Sequence, residues 1–305
     1  MRIVVVGAGG VGGYFGARLA TAGHDVTFVA RGRHLAAIQE HGLLVRSPHG
    51  ELRSTATAVP SVGAAGAADL VLVAVKLWDT EDVAAQLKPA VAAGARVMSL
   101  QNGVQAADVL RAHVPADAVL GGVCYISAGI ESPGVVVYRG GMRKLVFGEF
   151  DGRPSALVDD LLAACGEAGV DAAVSADIAR VIWEKFAFLV GLSATTAAVR
   201  APVGVVRANA RTRELLRDVM AEVVAVGRAS GVDLADDFVD ERLAFVDTLP
   251  ADMAASMYHD LQRGGRLELP WLSGGVVTLG ERLGVPTPRN RTVADILAPY
   301  ELGAV

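Results

Sequence analysis

Short runs of β-branched residues alternate with segments of helical periodicity through the first half of the chain. Arg2–Val6 reads as a strand ending in glycine, Val11–Ala22 as a helix, Asp25–Ala30 as a second strand and His34–Glu40 as a helix. Leu43–Arg46 and Glu51–Ala58 read as two strands about the turn Pro48-His49-Gly50. Asp69–Val75 is a continuous apolar strand before a helix over Thr80–Val91, and Arg96–Leu100 is another before a helix near Gln105–Ala112. Strands without polar alternation, set between helices, are buried on both faces, as in a parallel sheet covered by helices.

From Val119 the character changes. Gly121–Ile130, Gly134–Arg139 and Lys144–Phe147 are strand-like pieces separated by Pro and Gly, which predicts added strands at one edge. A helix over Ser155–Ala168 and a short strand at Val170–Val174 follow, after which the pattern is helical almost to the end, with helices over Asp177–Val190 and Pro250–Arg263. The pattern predicts an α/β N-terminal domain, residues 1–175, with a doubly wound, mostly parallel sheet and added edge strands, and an all-α domain over residues 176–305.

Composition narrows the class. The 305 residues are 52% hydrophobic and 20% charged, a globular balance, with a mean hydropathy of +0.41. No uninterrupted apolar run reaches the roughly 18 to 20 residues of a membrane span, so the expectation is a soluble protein without a membrane partner. The opening MRIVVVGAGG runs into glycine too early for a secretory signal, which points to the cytoplasm. A net charge of −5 with no basic stripe argues against nucleic acid. Cys124 and Cys165 make no disulfide framework, and the six histidines show no metal-ligand spacing with them.

The first glycine cluster carries specific chemistry. Gly7-Ala8-Gly9-Gly10-Val11-Gly12 follows a strand and opens a helix. Gly7 permits the tight turn, Gly9 lets the backbone approach a pyrophosphate, and Gly12 allows close helix–strand packing, with phosphate at the positive end of the helix. The second strand ends in Arg31-Gly32-Arg33, without the acid that would hold a ribose 2′-hydroxyl. Guanidinium groups there suit a 2′-phosphate, and hence NADPH; solvated loop arginines are the plainer alternative.

Lys76 and Asn102 follow two further strands directly, which places them with Gly7 and Arg31 along the sheet edge where ligands of such folds bind. The chain holds only four lysines, Lys76, Lys88, Lys144 and Lys185, among 28 basic residues. Lys185 shares a helix stripe with Ile178, Ile182 and Leu189. A lysine beside a partly desolvated pocket can act as a general acid, whereas one that snorkels keeps its head in water, and the spacing admits both. Ser256, His259 and Glu268 are further candidates: His259 as a catalytic acid or a helix-surface residue, Glu268 between two leucines as a pocket carboxylate or a solvated one.

Seven segments then occur in one order over nearly the whole chain: GAGGVGGYFG, VKLWDT around Lys76, QNGV around Asn102, IWEKF around Lys185, SMYHDL around Ser256, RLELPWLSGGVV with Glu268, and PTPRN at Pro286–Asn290. In that order and spacing the chain resembles the ketopantoate reductase (2-dehydropantoate 2-reductase) family. The resemblance implies a Rossmann domain joined to an all-helical domain, an active site in the cleft between them, and NADPH-dependent reduction of ketopantoate to pantoate in pantothenate biosynthesis. It further implies Lys185 as general acid, Lys76 and Asn102 beside the nicotinamide end and the substrate, Ser256 on the substrate carboxylate, and Glu268 on a substrate hydroxyl while orienting Lys185. Helical domains of this class often pair, so a homodimer is a candidate assembly.

Leu189 and Ser193 stand where the family commonly has asparagines, which sets Ser193 beside the substrate; Leu269-Pro270-Trp271 follows Glu268 where an acid is common. A pocket with fewer amides discriminates weakly in favour of a hydroxyl. A more apolar 2-oxo acid or an imine is therefore an alternative substrate, and a non-catalytic NADPH sensor an alternative role.

Overall fold

The apolar run Ile3–Val6, with no residue more than 3% exposed, forms β1 (Arg2–Val6) inside a ten-stranded sheet in a computed structural model that describes residues 1–304. The chain continues through α1 (Gly10–Thr21), β2 (Asp25–Val29), α2 (Gly32–His41), β3 (Leu43–Ser47), β4 (Gly50–Ser54) and β5 (Thr57–Val59). Then come β6 (Leu70–Val73), α3 (Thr80–Gln86), α4 (Lys88–Ala92), β7 (Arg96–Ser99) and α5 (Ala106–His113). The long strands β8 (Val119–Ser132) and β9 (Val135–Gly148) precede α6 (Ala156–Glu167) and β10 (Asp171–Val174).

The strand order is β4-β3-β9-β8-β7-β6-β1-β2-β5, with β10 also on β9. From β5 to β8 every neighbouring pair is parallel. The chain winds outward from β1 in one direction and from β6 in the other, so the switch point lies between these two strands. Alternation divides their side chains between two apolar layers: Ile3, Val5, Leu70 and Leu72 join one buried cluster, while Val4, Val6, Val71 and Val73 join another. Both faces of the central strands are therefore covered, as their unalternated sequence requires.

The added strands curl over α1. A Cβ on Gly12 or Gly16 would lie 2.9 Å from Val5 Cγ1 or 2.5 Å from the Phe28 ring, so one helix face sits directly on the parallel sheet. On the other face a Cβ at Gly13 would meet Val136 at 2.9 Å, and one at Gly10 would meet the Ala128 carbonyl oxygen at 2.4 Å. The glycine-rich helix is thus held between two β layers that a larger residue would push apart.

Three elements of the α/β region differ from expectation, and in the helical region the helix expected over Asp177–Val190 runs on to Val199 while the one expected over Pro250–Arg263 begins only at Ser256. Glu51–Ala58 is not one strand: β4 pairs antiparallel with β3, and β5 pairs parallel with β2. The helix over Thr80–Val91 breaks at Leu87, where Pro89 lacks the N–H a continuous helix would use and instead lies in the first turn of α4. The strand-like pieces of residues 121–147 are one hairpin of two 14-residue strands, with register shifts at Ile126/Ala128 and Ile130/Ser132 in place of breaks.

The described residues group into two units, Met1–Val181 and Ile182 onward. The second unit is helical: most of α7 (Ile178–Val199), then α8 (Val203–Ala208), α9 (Ala210–Ala229), α10 (Phe238–Thr248), α11 (Ser256–Gln262), α12 (Ser273–Leu283) and α13 (Pro288–Leu297). Small residues bring α7 and α9 together: a Cβ on Gly191 would be 2.5 Å from Met220, and one on Gly227 2.8 Å from Trp183. The Glu222 carboxylate on α9 accepts from the backbone N–H of Arg289 (2.7 Å) and Asn290 (2.9 Å), which caps α13. Helix α7 has the length and mean hydropathy (1.2) of a membrane span, but 61% of that stretch is buried within the protein, as in a core helix.

Candidate active site

The turn after β1 is shaped by contacts that exclude side chains. Gly7 has φ +99°, and a Cβ there would lie 2.8 Å from the Ala74 carbonyl carbon; its N–H donates to Val29 O at 3.0 Å. A Cβ on Gly12 would be 2.2 Å from Gly7 O. Gly9 is different: a Cβ there meets nothing within 4 Å. Gly9 is also the N-cap of α1, which has no side-chain cap and no acidic residue in its first turn. The open space over the positive end of an uncapped helix fits a dinucleotide pyrophosphate.

His34 on α2 steadies this turn. Its Nδ1 accepts from the Gly134 N–H (3.0 Å), so Nε2 carries the proton that it donates to Ala8 O (2.8 Å). One ring ties the glycine turn to the β8–β9 turn. Arg31, at the N-cap of α2, donates through Nη2 to Asp79 Oδ2 at 2.7 Å. Arg33 beside it is exposed.

Lys76 and Asn102 follow β6 and β7, so Gly7, Arg31, Lys76 and Asn102 all stand at the carboxyl ends of neighbouring parallel strands. Lys76 is exposed, with Nζ 5.6 Å from the centroid of the Trp78 ring; Asn102 is partly buried ahead of Gly103, which has φ +90°. Gln101 fastens the two loops together. Its Nε2 donates to Val75 O at 3.0 Å and to Thr80 Oγ1 at 2.7 Å. His34, Asp79 and Gln101 escape sequence reasoning, because nothing in their local pattern marks these distant partners.

In the second unit Lys185 is partly buried on α7, next to Phe186, whose ring meets Trp183 edge-on at 5.7 Å. Ser193, two turns further along, is fully buried and its Oγ has no hydrogen-bond partner. Thr195 and Thr196 return their hydroxyls to the carbonyl oxygens of Gly191 and Leu192. Glu268 is 7% exposed between buried Leu267 and Leu269, and its carbonyl oxygen anchors a turn by accepting from Trp271 and Leu272 N–H at 3.1 Å each. Ser256 is exposed at the first residue of α11, and His259 is exposed on that helix.

The parallel strand order and the glycine turn at its switch point define a Rossmann-type dinucleotide-binding protein. The family model for ketopantoate reductase PanE/ApbA matches residues 3–152, and that for its C-terminal part matches residues 177–301. The 2-dehydropantoate 2-reductase of Halobacterium salinarum is 36% identical over 301 residues, 97% of this chain and 98% of that protein. An uncharacterised oxidoreductase of Bacillus subtilis, YkpB, is 29% identical over 99% of both chains. The crystal structure of a PanE/ApbA family ketopantoate reductase from Ralstonia eutropha aligns with a TM-score of 0.90 at 35% identity, covering 99% of this chain and 98% of the other. The chain belongs to the ketopantoate reductase family PanE/ApbA. It is a pyridine-nucleotide-dependent oxidoreductase that acts on a carbonyl group.

Proposed function

We propose that the protein reduces 2-dehydropantoate (ketopantoate) to pantoate with NADPH, with Lys185 as general acid. The observation that carries this reading is the match of ketopantoate reductase models over residues 3–152 and 177–301. NADPH, when bound, supplies the hydride. The first-turn N–H groups of α1, with Gly7, Ala8, Gly9, Gly10, Val11 and Gly12 around them, would hold its pyrophosphate, and Arg31 its 2′-phosphate. The first unit is then the nucleotide domain and the helical unit the substrate domain.

As the carbonyl carbon is reduced, negative charge develops on its oxygen. The Lys185 ammonium stabilises that charge and gives the oxygen a proton, then regains one from water. Lys76 and Asn102 hold the nicotinamide end and the substrate, Ser256 binds the substrate carboxylate, and Glu268 accepts from a substrate hydroxyl and orients Lys185.

A second reading, reduction of a more apolar 2-oxo acid, is favoured by Leu189 and Ser193 on α7. Neither offers an amide, and the Ser193 hydroxyl is buried away from any partner.

The test is a panel of 2-oxo acids followed by loss of NADPH absorbance. Ketopantoate should give the highest kcat/KM. A branched apolar 2-oxo acid that wins by orders of magnitude installs the second reading, and no turnover with any member refutes both. Lys185→Ala should lower kcat by about a hundredfold or more, with NADPH affinity unchanged. A rate near wild type would remove Lys185 from the mechanism.

A further inference from the structure

We infer that Asp79 is a specificity-determining residue of the nucleotide site, acting on Arg31 to set how strongly a 2′-phosphate is preferred over a 2′-hydroxyl. This rests on the reading of Arg31 as the partner of the 2′-phosphate. Arg31 ends the strand on one side of β1, and Asp79 closes the loop after the strand on the other side. Their 2.7 Å bond therefore joins the two flanks of the glycine turn at the carboxyl edge of the sheet.

The Asp79 carboxylate is not committed to the fold. Asp79 occupies the N-cap of α3, where an aspartate ordinarily accepts from the helix N–H groups, yet its side chain makes no capping bond. Thr80 holds that helix start instead: its Oγ1 donates to Leu77 O at 2.7 Å and accepts from Gln101 Nε2. The Arg31 side chain is 73% exposed, so the ion pair itself contributes little to stability.

Its chemistry bears on the ligand. A 2′-phosphate arriving at Arg31 finds one guanidinium nitrogen already taken by an anion. The remaining N–H donors can still bind it, but two anions then share one cation and repel each other. A ribose 2′-hydroxyl, by contrast, can donate to the Asp79 carboxylate, the acceptor type that NAD enzymes place at the end of their second strand. Asp79 thus weakens NADPH and accommodates NADH. The protein uses both nucleotides, and removing the carboxylate charge widens the gap between them.

The experiment compares wild type, Asp79→Asn, Asp79→Ser and Arg31→Ala. Dissociation constants are measured for adenosine 2′,5′-bisphosphate and adenosine 5′-monophosphate, which differ only in the 2′-phosphate, together with kcat/KM for NADPH and NADH. Both Asp79 variants should raise the preference for the 2′-phosphate by roughly tenfold, the scale of one like-charge contact at partial screening. Asp79→Ser retains a capping oxygen, and a thermal melt of each variant shows that it is folded. An unchanged or lower preference in the Asp79 variants, with Arg31→Ala abolishing it, overturns the role of Asp79 and leaves that of Arg31 intact. A wild type with no preference that Arg31→Ala does not alter overturns the 2′-phosphate reading instead. If Asp79→Asn creates a preference in such a protein, Asp79 acts on the nucleotide without Arg31, and the proposed route falls with the reading it rests on.

Discussion

Gly9 and Gly12 lie three residues apart, and alanine at each should fail in a different way. At Gly12 the new methyl would stand 2.2 Å from Gly7 O and 2.9 Å from both Ala74 Cβ and Val5 Cγ1. Ordinary contact begins near 3.4 Å, so the oxygen or the helix must retreat by about 1 Å. The oxygen is backbone, in a turn held by the Gly7 N–H bond to Val29, and no rotamer relieves it. Overpacking of this kind costs about 1–3 kcal/mol; the clash sits at the upper end, and the better helix propensity of alanine returns up to about 1. The net loss of about 2 kcal/mol lowers Tm by roughly 4–8 °C for a unit of this size.

At Gly9 the methyl enters open space, and loss of a favourable N-cap residue costs under about 1 kcal/mol. That space is where we place the pyrophosphate, so Gly9→Ala should weaken NADPH by at least about tenfold, or about 1.4 kcal/mol, while melting near wild type. Thermal denaturation without nucleotide and an NADPH fluorescence titration separate the two effects. If Gly9→Ala binds NADPH like wild type, or Gly12→Ala melts like wild type, the reasoning from these contacts is wrong.

Two further outcomes follow from titratable groups. Arg2 donates to the Asp69 carboxylate through its backbone N (2.8 Å), Nε (3.1 Å) and Nη2 (2.5 Å), and these bonds hold the carboxyl below its usual range. A lowered folded value means that the pair stabilises above about pH 4 and that this stability is lost as pH falls through the folded value. Asp69→Asn should therefore cost about 1 kcal/mol or less at neutral pH, given the exposure of the pair, and the gap should close in acid. A gap in urea midpoint that stays constant with pH would refute this. Burial pushes the Cys165 thiol up to about 12, and Cys124 is buried with Sγ donating to Leu100 O. A thiol reagent at about pH 8 should find neither cysteine until the protein is denatured; rapid labelling of the native protein would contradict the buried placement.

Strands β1, β2, β6 and β7 are legible because a β-branched apolar run that stops at a polar residue or glycine encodes both the strand and the end at which ligands gather. The placement of Gly7, Arg31, Lys76 and Asn102 at the carboxyl ends of those strands is legible for the same reason. The hairpin of β8 and β9 is not, since glycines inside it read as breaks. Gly140 and Gly141 take φ of +92° and +84° within a continuing strand, and only pairing partners far along the chain show that it continues. Helix α7 runs past the end of its apolar stripe, and at Gly191 it meets Leu216 and Met220 of α9, a contact of which periodicity carries no sign. His34, Asp79 and Gln101 act through partners 26 to 100, 48, and 21 to 26 positions away, respectively. Each is an ordinary polar residue until the sheet assembles around it.

Helix α1 is gripped on both faces by β layers whose contacts leave no room for a methyl group. The turn ahead of it therefore need not be ordered when a nucleotide arrives. Fixing a flexible loop costs about 1–2 kcal/mol per residue, and here that entropy is lost during folding rather than on binding. The glycines that strip this helix of side chains thus preorganise the turn where we place the pyrophosphate, so that affinity there would reflect the phosphate contacts without a deduction for settling the loop.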